Sequence, residues 1–393
     1  RGYMQKYSFS KPGKKQKIQV TSHCLSKNEL EAVVALASRE AKQDVLDSIF
    51  EAAGRGITIK SPDVTCSPTD YQFGRFDGLQ VIGAGGNLLY VRNGFFPFPE
   101  EITIAPVDAK NHAGALERII QQRKIDDTGV MRYFDREYAP LHGMDKKEAQ
   151  NRAKYTTRVR NVIEGFDTSS QPTTIIAPKL ALEGYFPDLK DIYGNNLHFQ
   201  AYRVPLTPRV NGQFCDLARK PNKEAVDVYF RRLAKLGGKT MRAFHSIGLA
   251  YMDGHVGNMA LVGDDISKSS LYATDLGSML DISKEKFADR YKGFDAFTFL
   301  HTCGKLINLY LEYVRKDGLA HLESREGMQD FTYRFLEGYF APEFSIGKAE
   351  QNLKMDSTLR ELSKPFYNLA QAQQVQPLIE GFERVLYTFQ TVK

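Results

Sequence analysis

The sequence predicts an α+β chain of two lobes, a small β-rich one followed by a larger helical one. Three observations predict it. From Phe73 to Val107 the texture is that of short strands punctuated by glycine. Beyond Pro208 the apolar residues recur at spacings of three and four, the period of a helix face. The length, 393 residues of which 42% are hydrophobic, allows more than one compact core.

Residues 1–70 are expected to be a helical extension. An amphipathic pattern runs from Lys27 to Ala53, with Ser26 placed to cap its first turn. The basic run Lys11–Lys17 ahead of it reads as a solvated terminus rather than a nucleic-acid or membrane contact.

Residues 71–204 are expected to form the sheet lobe. Gly78–Gly83, Asn87–Arg92 and Glu101–Ala105 read as strands, the first two joined by a hairpin turn through Gly83, Ala84, Gly85 and Gly86. A helix is expected over Ala113–Gln122, then a longer polar helical region to Ile163. Strands follow at Thr174–Glu183 and Leu197–Val204.

Residues 205–393 are expected to be helical. Val226, Phe230, Leu233, Leu236, Met241 and Phe244 fall on one face of a helix. Later helices are expected near Phe297–Arg315 and Phe331–Phe340, with another toward the C-terminus.

Composition excludes several classes. Much of the net charge of +6 sits in Lys11–Lys17, and the rest of the surface mixes both signs, which argues against a dedicated nucleic-acid binder. No apolar run approaches the roughly 18 residues of a membrane span. Cys24, Cys66, Cys215 and Cys303 share no metal-ligand spacing, so a structural zinc site is not expected. Free thiols suit a reducing compartment, the cytoplasm or the cytosol of another cell into which the protein is delivered.

The segment Phe244–Leu261 carries the chemistry. It leaves an amphipathic helix, turns at Gly248, reaches Asp253 and, after four intervening residues, Asn258. An apolar run Met259–Val262, a polar turn Gly263–Ser270 and a strand Leu271–Thr274 lead to Asp275-Leu276-Gly277. Over His245–Gly277 this order resembles the catalytic and metal-binding loops of the protein-kinase-like superfamily, aminoglycoside and choline phosphotransferases included. The resemblance implies a two-lobed protein-kinase-like fold that uses ATP and Mg²⁺. It implies that Asp275 binds the metal, that Asn258 makes a second metal contact, and that Asp253 is the catalytic base or positions the attacking hydroxyl. Phosphoryl transfer needs such residues, because Mg²⁺ takes hard oxygen ligands and the acceptor hydroxyl must be oriented.

The chain also departs from the family pattern. Tyr251 and Met252 stand where protein kinases carry histidine and arginine. His255 takes the place of a lysine that contacts the γ-phosphate, and is read either in that role or as structural. Nineteen residues separate Asp275 from Asp295, a spacing that suits small-molecule phosphotransferases. Asp295 resembles the aspartate that starts the next large helix and braces the catalytic loop.

The sheet lobe offers nucleotide-binding candidates. Gly83, Gly85 and Gly86 either cover phosphates or form only a hairpin turn. Lys110 is the candidate phosphate lysine, with Glu117 on the following helix as its ion-pair partner, and Lys179 or Arg92 as alternatives. Phe199–Pro205, including Tyr202 and Val204, resembles the hinge strand that receives adenine, and Gly212–Leu217 the short helix after it. The expected activity is transfer of a phosphoryl group from ATP to a hydroxyl of a small molecule, peptide or protein. AMP transfer or ligation on the same fold, and a pseudokinase scaffold, are the alternatives.

Overall fold

The first segment to take shape is a pair of alternating runs, Tyr3–Lys11 (β1) and Lys14–Ser22 (β2), which pair antiparallel with Lys11 opposite Lys14. In this computed structural model the described residues are 3–11, 14–37, 58–60, 74–76, 78–83, 101–106, 115–120, 124–125, 131–132, 135–140, 143–166, 174–191, 193–205, 207–219, 223–286, 288–314 and 325–339. Ser26 and Glu29 then start helix α1 (Lys27–Ala37) with a capping box: Glu29 N–H donates to Ser26 Oγ (3.3 Å), and Ser26 N–H donates back to the Glu29 carboxylate (2.8 Å). The first seventy residues, expected to be a helical extension, therefore supply strands as well as a helix.

The remaining strands are β3 (Thr58–Lys60), β4 (Gly74–Phe76), β5 (Leu79–Ile82), β6 (Glu101–Pro106), β7 (Ala115–Ile120), β8 (Lys124–Ile125), β9 (Met131–Arg132), β10 (Asp135–Pro140), β11 (Ile175–Ile176), β12 (Lys179–Lys190), β13 (Asn196–Arg203), β14 (Leu249–Ala250), β15 (Met259–Val262), β16 (Ser270–Ala273) and β17 (Leu280–Asp281). The helices after α1 are α2 (Lys146–Phe166), α3 (Val210–Arg219), α4 (Lys223–Ser246), α5 (Ala288–Val314) and α6 (Arg325–Tyr339). The fold is thus α+β, with small, mostly antiparallel sheets and several helices. The chain divides into two compact units: residues 1–124, 131–157 and 178–206, and residues 125–130, 158–177 and 207–393.

In the first unit a six-stranded antiparallel sheet has the order β1-β2-β12-β13-β5-β4. Leu30, Val33, Val34 and Ala37, one face of α1, are buried together with Ile18, Val20, Leu79, Val81, Leu182 and Phe199 of the sheet. Arg203, at the end of β13, forks onto the two Glu29 oxygens at 2.9 Å each and so ties the start of α1 to the sheet. A second sheet has the order β10-β7-β6-β3. The strands expected in the sheet lobe are thus divided: β5, β12 and β13 share one sheet, β6 lies in the second, and β11 pairs with β16. The helix expected over Ala113–Gln122 is instead β7, because Ala115–Ile120 is paired on both sides, with β6 and with β10. Glu117 accordingly lies on a strand. The expected strand Asn87–Arg92, the C-terminal helix and Gly85, Gly86, Arg92 and Lys110 lie outside the described residues.

In the second unit α4 buries the predicted face: Val226, Phe230, Leu233, Leu236, Met241 and Phe244 are all at most 2% exposed. It meets α6 at a close crossing made by two glycines. A Cβ on Gly238 would lie 1.9 Å from the Phe335 carbonyl oxygen, and one on Gly338 1.9 Å from that of Lys235. Phe299 of α5 stacks on Phe335 beside this crossing, with ring centroids 5.2 Å apart. The hairpin β15–β16 is extended by β11, parallel to β16.

Candidate functional site

The loop that follows α4 is shaped by its ends. Gly248 takes φ +71°, and its carbonyl accepts the Ile282 N–H (2.8 Å) where β14 pairs with β17. Arg158 holds the same neighbourhood through Asp281 (2.7 Å) and the Ile247 carbonyl. The chain then passes through Tyr251 and Met252, both buried, and Met252 is left-handed at φ +63°. A non-glycine residue there costs about 1–2 kcal/mol, so something must over-determine the turn.

That something is Asp295. Its carboxylate, fully buried, accepts the Tyr251 N–H at 2.6 Å and the Met252 N–H at 2.8 Å. The Oδ2 atom is also 3.0 Å from His245 Nε2, and His245 Nδ1 is 2.7 Å from the Tyr339 hydroxyl of α6. Burial pushes the His245 pKa down, against the pull of Asp295. An ionised carboxylate only accepts, so His245 donates to Asp295 from Nε2–H, and Nδ1 is left to pair with the Tyr339 hydroxyl. The expected brace is present, although Asp295 sits inside α5 rather than at its start.

Tyr251 ties the loop to the neighbouring hairpin. Its hydroxyl donates to the Thr274 carbonyl and lies 3.5 Å from that of Asn258, while Ser278 Oγ donates to the Tyr251 carbonyl at 3.2 Å. Burial pushes the Tyr251 phenol well above its usual value; the charges of Asp275 and Asp253 push the same way and that of Arg209 opposes them. One buried phenol thus feels Asp253, Asp275 and Arg209 together.

Asp253 and Asn258 are joined directly. The Asn258 amide nitrogen donates to the Asp253 main-chain oxygen (3.0 Å) and to its Oδ2 (3.1 Å). Asn258 is 2% exposed and closes a single 3₁₀ turn, Val256–Asn258, just before β15. Its carbonyl accepts the Thr274 N–H (3.0 Å), and Met259 pairs with Ala273. Asn258 and Asp275 therefore flank the same end of the hairpin, Asp275 with φ +58° and ψ +47°, at the start of a second 3₁₀ turn, Leu276–Ser278. His255 is buried, with Nε2 3.7 Å from Asp253 Oδ1.

Sequence reasoning missed Arg209 and Gln213. Arg209 donates from one guanidinium nitrogen to the Gly257 carbonyl (3.0 Å) and to Asn258 Oδ1 (3.1 Å). One turn further along α3, Gln213 donates to the Leu261 carbonyl (2.6 Å) and accepts its N–H (3.1 Å), pairing with the open edge of β15 as a strand would. One signal for Arg209 lay in the sequence: a cation before the first turn of a helix opposes the helix dipole and asks for another explanation.

The other predicted residues are placed as follows. Gly83 directly follows β5 and has φ +79°. Tyr202 is buried in β13 and donates its hydroxyl to Gln200 Oε1 (2.8 Å). Val204 donates its N–H to the Gly78 carbonyl (2.8 Å). Lys179 opens β12 and is exposed.

Among the described residues no group of three His, Cys, Asp or Glu side chains gathers as a metal cage. The oxygen donors of Asn258 and Asp275 are of the kind Mg²⁺ takes, and that ion commonly uses only one or two protein ligands beside substrate phosphates and water. Among the described residues no helix is long and apolar enough to cross a membrane.

No family model matches the chain, and no curated protein matches it by sequence. Among solved structures it is similar to WaaP in complex with acyl carrier protein, at 10% identity and a TM-score of 0.30, over 61% of this chain and 85% of that one. It is also similar to aerobactin synthetase IucC from a hypervirulent pathotype of Klebsiella pneumoniae, at 11% identity and a TM-score of 0.31, over 59% of this chain. The chain spans about half (49%) of that synthetase. Scores this low leave the reading of the site to its own geometry.

Proposed function

We propose that this chain is an ATP-dependent phosphotransferase of protein-kinase-like architecture, acting on a hydroxyl group, with Asp253, Asn258 and Asp275 at its centre. The observation that carries the reading is the junction of Asp253 and Asn258. The asparagine amide nitrogen fixes the aspartate by both main chain and carboxylate, and the hairpin brings Asp275 beside them. A buried brace of Asp295, His245 and Tyr339 holds that loop in a left-handed turn it would not otherwise keep. Such investment in two half-buried carboxylates and a buried amide fits a reacting centre better than a scaffold.

In this reading Asp253 accepts a hydrogen bond from the acceptor hydroxyl, aligns its oxygen with the γ-phosphorus and takes the proton. The new O–P bond forms as the bond from the γ-phosphorus to the β–γ bridging oxygen breaks, and ADP leaves. Asn258 and Asp275 would hold Mg²⁺, which when bound neutralises charge on the β- and γ-phosphates. The Asn258 hydrogen bonds keep the Asp253 carboxylate from rotating away. Tyr251 and Asp295 act through that loop as positioning residues. The compartment of action is proposed to be the cytoplasm.

The test is product analysis with ATP labelled at the γ-phosphate, over a panel of aminoglycosides, choline, sugars and serine- or threonine-containing peptides. Release of ADP with label on the acceptor is expected, with Asp253→Ala slowing transfer about 10²–10⁴-fold at little change in nucleotide affinity. Pyrophosphate release would instead assign nucleotidyl transfer or ligation, and undiminished turnover in the variant would remove Asp253 from the mechanism.

A further inference from the structure

Arg209 occupies a position that helix energetics alone disfavours. Its carbonyl accepts the Gln213 N–H (2.9 Å), which makes it the residue from which α3 starts, and a positive side chain there faces the positive end of the helix dipole. Its aim is nevertheless fixed twice. The guanidinium donates to the Gly257 carbonyl and to Asn258 Oδ1, and Gln213, on the same face one turn later, clamps the Leu261 main chain from both sides. Helix and loop are docked so that a permanent cation touches the asparagine amide oxygen.

That oxygen is the one the phosphotransferase reading gives to a metal ion, since the amide nitrogen of the same side chain is engaged with Asp253. A guanidinium stays protonated at any working pH. A divalent ion drawn to Asn258 Oδ1 would meet a like charge already bonded to the same atom.

We propose that Arg209 supplies, from the protein, the positive charge that a second metal ion would otherwise bring, so that a nucleoside triphosphate binds with one divalent ion, the one served by Asp275. This inference rests on the phosphotransferase reading and narrows its metal set: Asp275 serves the divalent ion, and Asn258 Oδ1 is taken by Arg209 instead.

The experiment counts ions directly and needs no acceptor. Mn²⁺ is titrated into the protein with a saturating non-hydrolysable ATP analogue, and bound ion is read from the loss of the free-ion electron paramagnetic resonance signal. The wild type is expected to bind one Mn²⁺ per chain. Arg209→Ala and Arg209→Gln are expected to bind two, and Arg209→Lys, which keeps the charge, one. Circular dichroism melts establish that each variant is folded, and the glutamine variant keeps a donor to Asn258 if the alanine variant does not fold. Two ions in the wild type, or one in both uncharged variants, would overturn the role of Arg209 and leave the phosphotransferase reading standing. Absence of any nucleotide-dependent Mn²⁺ binding would overturn that reading itself, and the inference with it.

Discussion

Replacing Asp295 with asparagine changes one atom's chemistry at the point on which the geometry of the Tyr251–Asp253 loop depends. In the native structure three groups point at two carboxylate oxygens: His245 Nε2 and Tyr251 N–H at Oδ2, and Met252 N–H at Oδ1. An amide presents one oxygen and one NH₂, so whichever way it is turned at least one buried main-chain N–H meets a donor. Leaving such a donor unsatisfied costs about 1–3 kcal/mol, and the remaining bonds lose their charge assistance, about another 1 kcal/mol each. The sum, roughly 3–5 kcal/mol, is a large part of the 5–15 kcal/mol typical of a folded chain. The left-handed Met252 then has less to hold it, and the loop relaxes. Because the chain has 20 Tyr and no Trp, urea unfolding is best followed by far-UV circular dichroism, with nucleotide binding measured on the folded fraction. A loss below about 1 kcal/mol, together with unaltered Mg²⁺-nucleotide affinity, would refute the brace.

Gly238→Ala places a methyl group 1.9 Å from the Phe335 carbonyl. The gain in helix propensity, about 1 kcal/mol, is outweighed by an overpacking cost of up to about 3 kcal/mol, so a net loss of about 2 kcal/mol is expected in urea titrations, whereas a stabilised variant would mean that α4 and α6 do not cross there. The Arg203 fork, with the Ser26 N–H, holds the Glu29 carboxyl at about 2, down from 4.5. Its folded-state pKa being lowered, the stabilisation is fully present above pH 4.5 and is lost as pH falls toward 2. The melting-temperature difference between wild type and Glu29→Gln, reflecting about 1–2 kcal/mol after allowance for solvent screening, should vanish across that window, and a pH-independent difference would contradict it.

How much of this was legible in the sequence differs by element. The face of α4 and the order Asp253, Asn258, hairpin, Asp275 were readable, because a helix period and a short loop pattern are local. The strand Ala115–Ile120 was not, since its residues also suit a helix and only its pairing with β6 and β10 decides between them. The N-terminal hairpin did leave a signal: Pro12-Gly13 between two alternating runs is turn chemistry, obscured by the eye-catching lysines around it. Arg209 meets Asn258 across 49 residues of sequence, and no spacing rule reaches that far. The Asp295 brace was anticipated only through resemblance; its partner Tyr339 lies 94 residues from His245 and was not anticipated at all.

The most direct test of the central claim is thermal stabilisation by ATP, with and without Mg²⁺, of the wild type and of Asp275→Asn. Asparagine is the informative substitution, because it tolerates the left-handed backbone at φ +58° where alanine would be strained. Ligand at a hundred times its dissociation constant stabilises the folded state by about 2.7 kcal/mol. The account predicts a Mg²⁺-dependent rise in melting temperature in the wild type that is lost in the variant. A rise of equal size in both proteins, or none in either, would contradict it.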